Sequence, residues 1–382
     1  MKRTTGNFLL LTSAVTGMLV LATIAFGQGN TVQVAKGGTL EVKLDGGDIH
    51  VSTGDKNQVT VRGDEGGAEG ANSFNVSQSG TTVRVTRRDD SEHYSDASVR
   101  ITIPAQFNVQ LVTSYGEVTV DGKLTGRAEA TTGGGDIAFD DVEGAVDLTT
   151  SGGDLKTGNV SGDGTLRTSG GNVEVKSATG ELDVKTSGGD ISIGNVGKTL
   201  RASTSGGDVT IGDVGGEAKV ATSGGNIRTG KANGKVSLST SGGDIELNGG
   251  TGTINAATSG GNVSIRNVSG SVMASSSGGD LYAELKPSGN GRSKLVTAAG
   301  NITLLLPENA KASIDARIRV QGFWRSQKQD YTIQSDFPAD KSPQENDNHE
   351  ISAHYTLNGG GEQITLETVN SDIQIRKLQS GK

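Results

Sequence analysis

A glycine pair followed by Asp or Asn returns at a fixed spacing through the middle of the chain, and no other feature limits the fold so tightly. The acidic or amide residue falls at Asp136, Asp154, Asn172, Asp190, Asp208, Asn226, Asp244, Asn262 and Asp280, always 18 residues apart. Such regularity marks a solenoid, in which one repeat is one coil and buries its apolar side only against its neighbours. With the Asp/Asn as position 1, position 2 reads Ile137, Leu155, Val173, Ile191, Val209, Ile227, Ile245, Val263, Leu281. Position 4 is mostly Phe, Val, Ile or Leu, with Thr157 and Thr229 as exceptions, and position 7 is mostly Val or Ala. Positions 11 and 13 are again aliphatic, as in Leu182 with Val184 and Val236 with Leu238. Polar or small residues alternate with these, so the local period is two, that of half-buried strands. Each coil is expected to supply one strand at positions 2 to 4, another at 11 to 15 and a short third face at 7. Coils stacking about 4.8 Å apart give a rod of about 40 Å before its ends. The inward positions do not follow a six-residue period, and a right-handed crossover is expected.

The repeated Thr-Ser-Gly-Gly-Asp could be a corner or a site. Position 15 is Thr150, Thr168, Thr186, Thr204, Thr222, Thr240 and Thr258, then Ser276. It shares parity with 11 and 13, so its hydroxyl points inward, where stacked Thr side chains pass hydrogen bonds between coils. Two glycines would let the chain turn through backbone angles closed to other residues. The nine Asp/Asn would then satisfy N–H groups of the turn as structural corner residues. A phosphate loop needs a helix after its glycines, and here a strand follows. Calcium-binding β-rolls use a nine-residue unit with a different glycine spacing. Structural calcium bridging the stacked carboxylates is the remaining cofactor alternative.

Composition fits a thin, ordered core. Only 32% of the residues are hydrophobic and 3% aromatic, with 60 glycines, 5 prolines and no cysteine. A disordered Gly/Ser linker would lack the regularly spaced aliphatics. Lys2 and Arg3 precede an apolar run from Phe8 to Phe26, with Ala25 and Gly27 at the −3 and −1 positions before Gln28. Residues 1–27 therefore read as a signal peptide, the alternative being a membrane anchor, diluted here by Thr12, Ser13, Thr16 and Gly17. An exported chain without cysteine must be stable without disulfides. The segment after cleavage carries 33 basic and 43 acidic residues, net −10, with no basic cluster, which argues against nucleic acid as a partner. No stable membrane insertion is expected after cleavage, and a monomer is.

The pattern wears down at both ends, where a solenoid needs irregular β caps. Residues 28–116 read as an N-terminal cap with worn coils, 117–306 as the regular solenoid, and 307–382 as a C-terminal cap with a polar insertion and one last coil at Thr368–Ile373. The insertion holds Phe323, Trp324, Tyr331, Phe337 and Tyr355. These aromatics form either the plug of the cap or a recognition surface; for the second, Phe323, Trp324, Arg325 and Tyr331 are the candidate ligand-binding residues.

Catalytic signals are thin. His349-Glu350-Ile-Ser-Ala-His354 has three residues between Glu and His and alternates like a strand, so the two His do not share a helical face as a zinc protease requires. His50 and His93 are isolated in the sequence. Asp140-Asp141 is the only adjacent acidic pair in the regular coils, and no nucleophile, base and orienter converge.

The repeating GxLxVxTSGGDIxIxNVxG, the worn GGTLEVKLDGGDIHV, the RITIP strand and the terminal NSDIQI together resemble a bacterial β-strand-repeat family of candidate adhesins of unknown function. The resemblance spans nearly all of the chain after residue 27. It implies a parallel β-solenoid at the envelope or outside the cell and carries no catalytic residues to this sequence. The expectation is an all-β, right-handed parallel β-solenoid (β-helix) that is exported to the periplasm, cell surface or medium. It acts there as a non-enzymatic scaffold for an envelope polysaccharide or a surface protein. A polysaccharide-active β-helix lyase or hydrolase is the alternative.

Overall fold

The computed structural model describes residues 30–63, 74–88, 98–287, 291–321, 331–345 and 349–379; the 1–27 segment lies outside them. The described residues are all-β, in two long ladders of mostly parallel strands. In the first ladder, Leu155 pairs with Val173, Val173 with Ile191, Ile191 with Val209, and onward to Val263 with Leu281. In the second, Leu166 pairs with Val184, Val184 with Ala202 and Ala202 with Val220. The inner faces of the two ladders make one continuous core, in which Leu155, Val173, Ile191, Leu182, Val184 and Leu200 are essentially solvent-free. Each such side chain contributes about 1.5–3 kcal/mol of burial, and the parallel stacking keeps like beside like.

The expected third face is not a separate sheet. In several coils the first strand runs on through position 7, as in Leu155–Val160 and Val173–Ala178, with Val160 paired to Ala178. Elsewhere position 7 forms a short strand of its own, Val142–Glu143 paired with Leu124–Thr125 and Val160, or isolated bridges from Val196 through Val214 to Ala232. The strand bends between its buried positions 4 and 7 and stays in the same ladder.

At the N-terminal end, Thr39–Lys43 and Ile49–Gly54 pair in parallel with Asn108–Val112 and Val118–Asp121, making a first coil from segments far apart in sequence. Thr82–Arg87 and Val99–Pro104 extend the two ladders and are backed by antiparallel strands Phe74–Ser79 and Gln58–Gly63. Phe74 and Phe107 fill this end of the core. At the other end, Ile302–Leu306 pairs with Ile373–Lys377, which returns the chain to register after the insertion. Much of the stretch read as a polar insertion is itself strand. Ala312–Arg319 buries every second side chain and pairs antiparallel with Glu350–Leu357. The period-two run Ala312-Ile314-Ala316-Ile318 explains this, because it supplies one apolar face to the core. Among the described residues no helix is long and apolar enough to cross a membrane.

Candidate functional site

The repeated corner is built by three kinds of side chain that all point at backbone. Each position-15 Thr is buried, and its hydroxyl donates to the second glycine of the preceding coil: Thr168 to Gly153, Thr186 to Gly171 and Thr204 to Gly189, all at 2.8 Å. The same oxygen accepts the N–H of the glycine three residues ahead, as Gly189 to Thr186 at 3.3 Å. The position-1 side chain accepts the N–H of its counterpart 18 residues on: Asp154 to Asp136 at 2.7 Å, Asn172 to Asp154 at 2.6 Å and Asp190 to Asn172 at 2.8 Å. The series continues through Asp208, Asn226, Asp244, Asn262 and Asp280 to Asn301 and Asp372. At two of the steps from Asp to Asn the amide also donates to the carboxylate, Asn226 to Asp208 at 3.2 Å and Asn262 to Asp244 at 3.3 Å. These amides offset part of the crowding of the stacked carboxylates.

The glycines act differently from the sequence expectation. None of the glycine pairs of the nine regular corners has a positive φ; among the described residues Gly47 of the worn N-terminal corner has one, as do Gly122 and Gly359 outside the corners. The constraint is the approach of neighbouring coils. A Cβ on Gly153 would overlap the carbonyl of Gly135, whereas one on Gly152 would sit 3.4 Å from Gly134. A second Asx ladder, not singled out in the sequence, runs at position 6. There Asn159 donates its N–H and its amide to Asp141, at 2.8 and 2.9 Å, and Asp213 donates its N–H to Asn195 at 2.9 Å. The two bonds from Asn159, backbone first, hold the Asp141 carboxyl below the usual range.

With the corner groups turned to backbone, a concave feature among the described residues lies at the N-terminal end. There a groove of about 560 Å³ opens on the outer face of Ile49–Gly54, Gln58–Gly63 and Val99–Pro104. Strand register puts Arg62 directly opposite Arg100, and Arg100 beside His50, in one rung. The next rung is Thr60, Thr102 and Ser52, with Ser52 and Thr102 hydroxyls 3.1 Å apart. Lys56 and Asp55 close the end. His50 is fixed by Thr119 Oγ1, 2.6 Å from Nδ1, and by Asp121, 3.1 Å from Nε2. This order resembles a hydroxyl–imidazole–carboxylate relay, but Thr119 lies inside the ladder, where strand pairing uses the neighbouring N–H groups that would have to hold an oxyanion. The groove brings cationic and hydroxyl side chains together.

A family model described as Toastrack DUF4097 matches residues 30–248 and 176–376. The chain belongs to the Toastrack DUF4097 family. No curated protein matches it. Among solved structures, the Toastrack chain is similar to a candidate adhesin of Parabacteroides distasonis ATCC 8503, at 13% identity over 92% of this chain and 96% of that one, with a TM-score of 0.25. A candidate adhesin of Bacteroides fragilis NCTC 9343 shows 12% identity over 92% and 96%, TM-score 0.21. A candidate lipid-binding protein of the same Parabacteroides strain shows 10% over 92% and 96%, TM-score 0.21. Superpositions this loose carry no functional inference.

The Toastrack cap accounts for part of the aromatic cluster. Tyr355 and Phe337 are buried in the core, and Tyr331 is partly buried against it. Burial, offset a little by Ser335, raises the Tyr355 hydroxyl above its usual pKa. Phe323, Trp324 and Arg325 lie outside the described residues. Of the His-Glu-x-x-x-His segment, His354 is in strand and is held between Asp315 at 2.9 Å and Asp340 at 3.6 Å. His349 precedes that strand with φ of 59°. Among the described residues no three His, Cys, Asp or Glu gather in a way that could hold a metal.

Proposed function

We propose that this Toastrack protein is exported and works as a non-enzymatic interaction scaffold at the cell envelope, holding an envelope polysaccharide or surface protein. The scaffold is a right-handed solenoid of 18-residue coils over 117–306, closed by caps at 28–116 and 307–382. One observation supports the reading most: the conspicuous polar motif, repeated coil after coil, is spent on backbone hydrogen bonds between coils. That leaves the regular part as a rigid spacer and moves recognition to the ends, where the groove lies and where Trp324 remains a candidate anchor.

The test is co-sedimentation of purified residues 28–382 with whole cells, peptidoglycan and outer-membrane fractions, after fractionation and N-terminal mass analysis of the native protein. Retention by an envelope fraction, with Gln28 at the N-terminus and no shortening of added polysaccharide, is the expected result. A cytoplasmic protein with intact Met1, or release of sugar fragments, would contradict it.

A further inference from the structure

We infer that Tyr115 and Val112 form a binding face for an uncharged glycan, on which a sugar ring stacks against the tyrosine. The inference rests on the scaffold reading for its setting and names the class of ligand that the scaffold would hold. Exposure is the first argument. Among the described residues the large hydrophobics left exposed are Val112 at 41%, Tyr115 at 76% and Met273 at 55%, and the first two stand close together in one coil. Neighbouring exposed apolar side chains mark an interaction site where scattered single ones do not. Nor does the fold require Tyr115. Its corner stacks between two others, since a Cβ on Gly116 would overlap the Gly47 carbonyl and one on Gly135 that of Gly116. Tyr115 thus takes the first place of the glycine pair, which Gly46 and Gly134 fill in the adjoining corners. That place is sterically open, because a Cβ on Gly134 would meet nothing within 4 Å. The corner admits the tyrosine there and leaves most of its ring in solvent.

The surroundings give the class of ligand. An aromatic face carries partial negative charge, which matches the C–H hydrogens on the face of a pyranose ring. Lys43, Asp45, Ser114 and Glu117 are exposed in the same coil or the adjoining one, and their side chains are unbonded among the described residues. They offer an ammonium, two carboxylates and a hydroxyl to sugar hydroxyls. Asp48 and Asp136 each give one oxygen to a backbone N–H, of Glu117 at 2.9 Å and of Asp154 at 2.7 Å. With Asp45 and Glu117 they make an acidic border that disfavours an anionic chain. A protein partner fits less well. Hot spots of protein interfaces are ringed by side chains that exclude water, and here the flanking corner places hold Gly46, Gly133 and Gly134. A ring-sized ligand needs no such border. Pairing of Val112 with Lys43 and Thr131 fixes the base of the face, so little ordering is needed on binding.

The experiment is fluorescence anisotropy on purified residues 28–382 with labelled oligomers of glucose, of N-acetylglucosamine and, as the anionic control, of galacturonate. Binding of at least one uncharged oligomer is expected, with oligogalacturonate held about tenfold more weakly or not at all. Tyr115→Ala should weaken that binding about tenfold or more at an unchanged melting temperature. Tyr115→Phe keeps the ring and should bind within about threefold of the parent. Met273→Ala, which removes the exposed apolar side chain of a distant coil, should bind as the parent does. Failure of both uncharged oligomers to bind would overturn the inference. So would equal weakening by Tyr115→Ala and Met273→Ala, or oligogalacturonate bound as tightly as the uncharged oligomers. A lower melting temperature for Tyr115→Ala would make the ring a structural part of its corner and overturn it too. If envelope fractions still retain a protein that ignores both uncharged oligomers, the scaffold reading stands and the glycan assignment falls.

Discussion

A single threonine shows how the corner works. Thr186 is 2% exposed, donates to Gly171 and accepts from Gly189, so its hydroxyl joins two coils inside the core. Thr186→Val keeps the shape but leaves a buried carbonyl and N–H without partners, at a cost of about 1–3 kcal/mol. Thr186→Ser keeps both bonds and should lose well under half as much; equal losses in chemical denaturation would mean that the hydroxyl has no structural part. The glycines give a sharper contrast. Gly153→Ala forces a Cβ into the Gly135 carbonyl and should cost about 1–3 kcal/mol or more, whereas Gly152→Ala meets only ordinary contact and should cost well under 1 kcal/mol. Equal melting temperatures for the two would refute the close-approach account. The inward aliphatics and Thr were legible because side-chain parity follows directly from a period of two. The reason for the glycines was not, because the crowding comes from a residue 18 positions away and leaves no local mark.

Among the elements, the position-6 ladder and the C-terminal cap each hold a depressed carboxyl. Asp141 is held below the usual carboxylate range by Asn159, and Asp336 in the C-terminal cap by the Lys377 N–H and the Arg376 guanidinium. A depressed folded pKa means that the contribution is present above the unfolded pKa and is lost as the pH falls through the lowered value. Asp141→Asn should therefore flatten the fall in stability below about pH 4; a parent and variant with identical acid-unfolding curves would rule this out. The C-terminal cap makes a separate prediction. Tyr355→Ala opens a buried aromatic site and should cost about 3–5 kcal/mol, with fraying that starts at the C-terminal end in hydrogen exchange. Trp324→Ala should instead weaken envelope binding by about 1–2 kcal/mol and leave the melting temperature unchanged. A fall in melting temperature for Trp324→Ala would place it with Tyr355 as part of the plug. The groove was hard to read from the sequence, because Arg62, Arg100 and His50 belong to segments joined by long-range pairing. Only the outward parity of Arg62 and Arg100 in VTVRG and VRITIP hinted at a shared face.

For the whole molecule, the account holds that coils are interchangeable units whose polar motif serves the next coil. Excising residues 190–243 joins Gly189 to Asp244 and removes three corners while restoring every column. The product should fold cooperatively, keep its β-type circular dichroism and be about 14 Å shorter by small-angle scattering. Excising residues 190–198 instead puts strand faces out of register and should leave the chain unfolded. The shortened chain is the most direct test: a soluble, cooperatively melting rod about 14 Å shorter is the expected result, and an unfolded or aggregated product from the in-register excision would contradict it.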